Sequence, residues 1–157
     1  MKECFWHWIK SMRKPSKKAK IIAARLAAVQ CVYEMAISKM TAKEAYAHYT
    51  DSLMNQEVEG DSYVPADLDL LSKIVMGVSE KRDELREMTL GALNGKKPEP
   101  LLQSMIFCGI YELLDHTEID APVIINDYVN VAHGFYEQSE ANMVNAVLDR
   151  QSKNLRP

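Results

Sequence analysis

Four histidines, three cysteines and a band of carboxylates are the side chains in this 157-residue chain with the chemistry to catalyse a reaction or hold a metal. Their spacing argues against both roles. His7, His48, His116 and His133 lie far apart and form neither an HExxH word nor a paired-ligand pattern, so each reads as a surface or hydrogen-bonded interior residue. Asp67 and Asp69, with Glu80, Asp83, Glu84 and Glu87, read first as a solvated helix face and as charges at helix N-termini, and second as a partner surface. Cys4, Cys31 and Cys108 are odd in number and include no CxxC pair, which points to reduced thiols in a cytoplasm rather than a disulfide frame or a zinc site. The serines lack a GxSxG elbow, and the six glycines are scattered with no phosphate-cradling loop among them. The expectation is a protein without catalytic residues, metal or cofactor.

Binding is the chemistry that remains, and charge suggests where. Residues 1–25 carry eight basic side chains against one acidic, a net +7, whereas residues 26–157 carry eleven against twenty-one, a net −10. A basic arm on an acidic body points to a polyanion contacted at one place; the alternative is a lysine-rich solubilising tail. Lys17, Lys18, Lys20 and Arg25 are the basic residues of that arm that fall on a helical pattern. No run approaches the ~20 apolar residues of a membrane span, and the apolar patch of the opening MKECFWHWIKSM is too short and interrupted for a signal-peptide core. The expected location is the cytoplasm, with no membrane partner.

The elements that would position these residues are helices. Apolar residues make up 47% of the chain and charged residues 26%, ordinary globular values, and the length suits one domain, here residues 16–157 behind an N-terminal tail of residues 1–15. Ser16 can cap a first helix with the stripe Ile22, Leu26, Val29, Tyr33, Ile37 and Met40. Thr41 with Glu44 fits a capping box for a second, running to about Leu53. Residues 55–64 read as a loop, Pro65 as the start of a third helix and Ser79 as a break before a fourth. Asn94-Gly95 ends the fourth, and Pro98 and Pro100 precede a fifth, residues 101–114, that is apolar on nearly all sides and therefore belongs at the centre of a bundle. Pro122 and Ser139 open the last two. In the sixth, Ile125, Tyr128, Val129, Ala132 and Phe135 share one face, and Asn126 and Asn145 are expected as amides inside or beside that packing. The reading is all-α: one compact domain of about seven helices.

Three words in this frame resemble one family. AARLAAVQCVYEMAIS (residues 23–38), GIYELL (109–114) and the closing pair VIINDYVNVA and VNAVLD are similar, in order and separation, to the motifs of NusB-like RNA-binding domains. The resemblance spans roughly residues 17–150. It implies a non-enzymatic factor that pairs with ribosomal protein S10, binds the single-stranded boxA element of nascent RNA, joins the RNA polymerase elongation complex and supports ribosomal RNA synthesis, as monomer or homodimer. Arg25 matches the last arginine of the family's basic motif, and Gln30 and Tyr33 match the glutamine and aromatic that follow. Ser139, Asn142 and Met143 occupy positions that lie near RNA in the family.

The physical reading of Arg25 agrees with an RNA contact, its fork suiting an unpaired base or a phosphate; the alternative is an ion pair with an acidic neighbour. The chain also departs from the family pattern. Ile21, Ile22, Ala23 and Ala24 stand in place of an arginine cluster, Asn142 and Met143 in place of lysine and phenylalanine, His133 in place of lysine, and Ala146 in place of glycine. Lysine binds phosphate as a point charge, so RNA binding weaker, more salt-sensitive or less selective than the family's is implied. Phe107 and Leu102 replace commonly charged positions of the fifth helix and are the candidate partner contacts: exposed, Leu102 is an apolar docking residue, and buried, it is repacking. Two other readings stay open: a NusB-fold interaction module with weak or non-specific RNA binding, and an accessory acting in trans with a ribosomal RNA methyltransferase.

Overall fold

In a computed structural model, residues 16–53, 57–58, 61–62 and 64–157 are described; residues 1–15, read above as a tail and holding Cys4 and His7, lie outside them. The local capping chemistry sets most element boundaries. Helix α1 (Lys17–Ser38) starts where the Ser16 hydroxyl accepts the Ala19 N–H at 3.1 Å, and it stops at Lys39, which turns left-handed with φ 54°. Helix α2 (Ala42–His48) opens on a full capping box: Thr41 Oγ1 accepts the Glu44 N–H at 3.1 Å, and Glu44 Oε2 accepts the Thr41 N–H at 3.0 Å. It runs into one π turn, Tyr49–Leu53. Within the stretch read as a loop, β1 (Glu57–Val58) and β2 (Asp61–Ser62) pair antiparallel.

Helix α3 (Leu68–Glu80) begins later than Pro65 suggests, because Asp67 takes the cap, its Oδ1 accepting the Leu70 N–H at 3.1 Å. Its break from α4 (Arg82–Ala92) falls at Lys81 rather than Ser79. Asn94 and Gly95, both at positive φ, close α4 as expected. Helix α5 (Pro100–Asp115) carries its proline in the first turn, where a missing N–H costs nothing. Helix α6 spans Ala121–Phe135 and α7 spans Gln138–Leu155, the latter starting at Glu137 without a side-chain cap.

Helix α5 is the axis of the bundle. Every residue from 102 to 113 is buried, and α1, α3, α4, α6 and α7 all pack against it. Side chains of neighbouring helices pack directly onto two glycines: a Cβ on Gly77 would lie 2.0 Å from the Tyr111 ring, and one on Gly109 2.7 Å from the Leu148 side chain. Helix α1 is long and apolar enough to cross a membrane by length and composition, but 61% of that window is buried inside the bundle, as in a core helix.

Several sequence expectations are corrected by this packing. Leu102 and Phe107 are only 4% and 2% exposed, so their side chains fill the core and offer no docking surface. Ile37 leaves the α1 stripe at its last turn and is 54% exposed. Asn126 and Asn145 point to solvent rather than into the helix contacts, since the buried positions of α6 and α7 lie beside them at Ile124, Ile125, Val144 and Val147.

The largest correction concerns Arg25. Its side chain is internal, and it meets Glu112 of α5 in a two-pronged ion pair, Nε to Oε2 at 2.8 Å and Nη2 to Oε1 at 3.0 Å. Nη1 donates to Asp127 Oδ2 of α6 at 2.7 Å. Glu112 is fully buried, and it also accepts the Tyr128 hydroxyl at 2.5 Å and a bond from His116 Nδ1 at 3.0 Å. An ionised carboxylate offers only acceptor sites, so His116 carries its proton on Nδ1. Three of the five guanidinium N–H donors are engaged by carboxylates inside the protein, so the ion-pair alternative for Arg25 is the one realised.

This cluster joins α1, α5 and α6 through groups that cannot be left unpaired. Burial alone pushes the Glu112 carboxyl up, but hydrogen bonds from His116 and Arg25, the Arg25 charge and the Tyr128 hydroxyl outweigh it and hold the group below its ordinary value. Burial and the Glu112 charge together raise the Tyr128 hydroxyl well above its own. Removing one partner strands the other: Arg25→Ala is expected to cost ~3–5 kcal/mol, read as a lowered midpoint in urea unfolding at neutral pH. The depressed Glu112 value also sets a pH sign. Its contribution is complete above the unfolded carboxyl's ~4.3 and is lost as pH falls through the lower folded value. Urea midpoints measured from pH 7 down to 3 should therefore drop at the acid end, with Glu112→Gln lower at neutral pH and lacking that part of the drop.

Candidate nucleic-acid interface

A groove of about 750 Å³ opens where the start of α1, the start of α3 and the turn between α5 and α6 come together. Helix α1 contributes Lys17, Lys18 and Ile21, and α3 with its cap contributes Asp67, Asp69, Leu70 and Lys73. His116, Glu118, Ile119 and Val123 form the third wall, and the Arg25–Asp127 pair lies at the base. Two features hold these walls in register. The Asp67 N–H donates to the Lys20 carbonyl at 3.0 Å, tying the α3 cap to α1, and the buried cluster ties α1 to α5 and α6.

The groove's charges divide into paired and available. Lys73 lies 3.0 Å from Asp69, whose hydrogen bond raises the exposed lysine's pKa, and Arg25 is held by Asp127 and Glu112. Lys17 and Lys18 are exposed and make no ion pair among the described residues, and the first turn of α1 holds no acidic side chain. That end of the helix also presents backbone N–H groups and the positive end of its dipole. Beside it, Ile21, Ile119 and the half-exposed Val123 make an aliphatic wall, with the Glu118 carboxylate at its rim. A phosphate fits the lysine end, an unpaired base fits the aliphatic wall, and a carboxylate can accept from exocyclic amino groups.

The remaining candidates are spread over more of the surface. Lys20 is exposed on the first turn of α1. Gln30 and Tyr33 are partly exposed but lie further along α1, Gln30 about 20 Å from Lys17 by helical rise, and neither lines the groove. Ser139, Asn142 and Met143 are exposed on the first two turns of α7; Asn142 Oδ1 accepts from Gln138 Nε2 at 2.8 Å, and the Ser139 hydroxyl donates to Glu140 at 2.9 Å. Sequence reasoning missed Glu112, Asp127 and the 116–119 wall. One signal was present: Arg25 is the single charge between Ile21 and Cys31, and Glu112 the single charge between residues 101 and 114 of the all-round apolar helix. Two lone charges on two core helices call for each other.

Comparison with known proteins agrees with this architecture. A family model described as the NusB family matches residues 22–153, a span that contains the whole Arg25 cluster and leaves out Lys17, Lys18 and Lys20. A transcription antitermination protein NusB of Rhodopseudomonas palustris (strain HaA2) is 38% identical over 138 residues, covering 85% of this chain and 82% of that protein. The protein of the same name from Nitrobacter hamburgensis is 36% identical over 138 residues, covering 85% and 86%. Among solved structures, T. maritima NusB aligns with a TM-score of 0.69 over 87% of this chain and 92% of its own, at 16% identity, a likeness of fold. With a family model matched over most of its length and relatives well above 30% identity across it, the chain belongs to the NusB family.

Proposed function

We propose that this protein is a transcription antitermination factor that binds boxA-type single-stranded RNA together with ribosomal protein S10 and, in that complex, joins the elongating RNA polymerase. The observation that carries the reading is the groove at the basic start of α1, where Lys17 and Lys18 make no ion pair among the described residues and lie beside an aliphatic wall and a helix N-terminus. The names of its relatives, transcription antitermination protein NusB, support it. Lys20 extends the phosphate track. Gln30 and Tyr33 along α1, and Ser139, Asn142 and Met143 on α7, offer polar and apolar contacts to a longer strand. Arg25 acts from inside, by fixing α1 and with it the lysines. The protein works in the cytoplasm as a scaffold, without a covalent step.

One observation favours a less selective variant of this reading. The groove also holds Asp67, Asp69 and Glu118, and the family's arginine cluster is replaced by Ile21, Ile22, Ala23 and Ala24. RNA contact then rests on lysines, which bind phosphate without bidentate geometry.

Fluorescence anisotropy with boxA RNA and a scrambled strand, each with and without S10, separates the two. A preference for boxA that sharpens when S10 is added is expected; equal affinity for both strands would make the chain an interaction module with general RNA affinity. In a salt titration the Lys17→Ala/Lys18→Ala double variant should show a log–log slope shallower by ~1.4, about 0.7 for each lost phosphate contact. An unchanged slope would remove these lysines from the RNA path.

A further inference from the structure

Arg156, just beyond the end of α7, reaches back across the fold to the other side of the groove wall. Its guanidinium donates to four main-chain carbonyls: Nε to Leu113 at 3.0 Å, Nη1 to Ile119 at 2.5 Å, and Nη2 to His116 at 2.9 Å and to Glu112 at 3.3 Å. Two of these carbonyls end α5, and two belong to the turn that leads into α6. The Glu112 carbonyl already accepts the His116 N–H at 2.8 Å, but the last carbonyls of a helix carry the negative end of its dipole, and a cationic fork there meets that charge. Yet the arginine reaches further than an end cap needs. The Ile119 carbonyl lies three residues past the α5 cap, in a stretch whose own backbone tie is the 3.0 Å bond from the Ile119 N–H to the His116 carbonyl.

The same stretch supplies His116, Glu118 and Ile119 to the groove. We infer that Arg156 is a positioning residue for the nucleic-acid groove: it holds residues 116–119 in place from behind, so that the wall is already formed when RNA arrives. The inference rests on the RNA reading above. A wall ordered in advance spares the strand the entropy of ordering it, and that advantage appears in affinity rather than in global stability. The fork's geometry is essential, because a lysine ammonium carries the charge but cannot span four carbonyls set around a planar group.

The test is amide hydrogen exchange and RNA anisotropy on the full chain, for wild type, Arg156→Ala and Arg156→Lys. In Arg156→Ala, exchange at the Ile119 amide, whose N–H is bonded to the His116 carbonyl, should rise about tenfold, while the amides of α1 and of mid-α5 keep wild-type rates. RNA affinity should fall about fivefold with S10 binding unchanged, and Arg156→Lys should recover little of either. Unchanged exchange in the turn overturns the clamp. Faster exchange there with wild-type RNA affinity overturns the link to the groove. Faster exchange throughout α1 and α5 overturns it too, by making Arg156 an ordinary stabilising residue. If wild type binds no RNA, the RNA reading and the link fall together, and the exchange rates alone decide whether the clamp exists.

Discussion

Burying an arginine and a glutamate in the centre of a small helical bundle is costly unless each satisfies the other completely, and that constraint organises this fold. Arg25 and Glu112 sit 87 positions apart in the chain, on the two most buried helices, and both are almost completely buried. Dehydrating either ion alone would cost several kcal/mol, so α1 can pack on α5 in only one register and rotation: the one that brings fork to carboxylate. Asp127 and Tyr128 add α6 to the same point, and His116 adds the end of α5. Hydrophobic packing between smooth helices tolerates sliding by a turn; a bidentate ion pair does not.

The surface inherits its geometry from that interior. Because α1 is pinned at Arg25, two turns in from its start, Lys17 and Lys18 project at a set place relative to α3 and to the turn after α5. Arg25 and Asp127 line the groove as well as forming part of the cluster, so the groove and the core share residues. An arginine that looks like a ligand contact in sequence is thus tied into the core, and its ion pairs fix the position of α1 and of the lysines at its start.

How much of this was legible depended on the range of the interaction. The Thr41–Glu44 box, the Ser16 cap, the Asn94-Gly95 stop and Pro100 act within three or four residues, and all appear where the chain predicts them. Pro65 and Ser79 misled by two or three residues because a better cap, Asp67, and a softer junction, Lys81, stood close by. The side-chain environments were harder. Leu102 and Phe107 lie inside, and Asn126 and Asn145 outside, because burial at a given position depends on which neighbouring helix covers it. Helical period identifies the faces of one helix, not the number of other helices packed around it.

The division is therefore a physical one. The linear order of apolar residues, caps and breakers determined by itself that this is an all-α fold, with seven α-helices among the described residues and residues 101–114 at its centre, since those signals act through local hydrogen bonds and helical period. Only the tertiary structure decided that Arg25 pairs with Glu112 and Asp127, that Lys17 and Lys18 line the groove without an ion pair among the described residues, and that Arg156 bonds carbonyls at the end of α5 and in the turn after it. Those pairings join residues tens of positions apart. Whether a charge finds its partner inside the protein or in a ligand is settled by which helices meet, a choice made by the packing of the whole core.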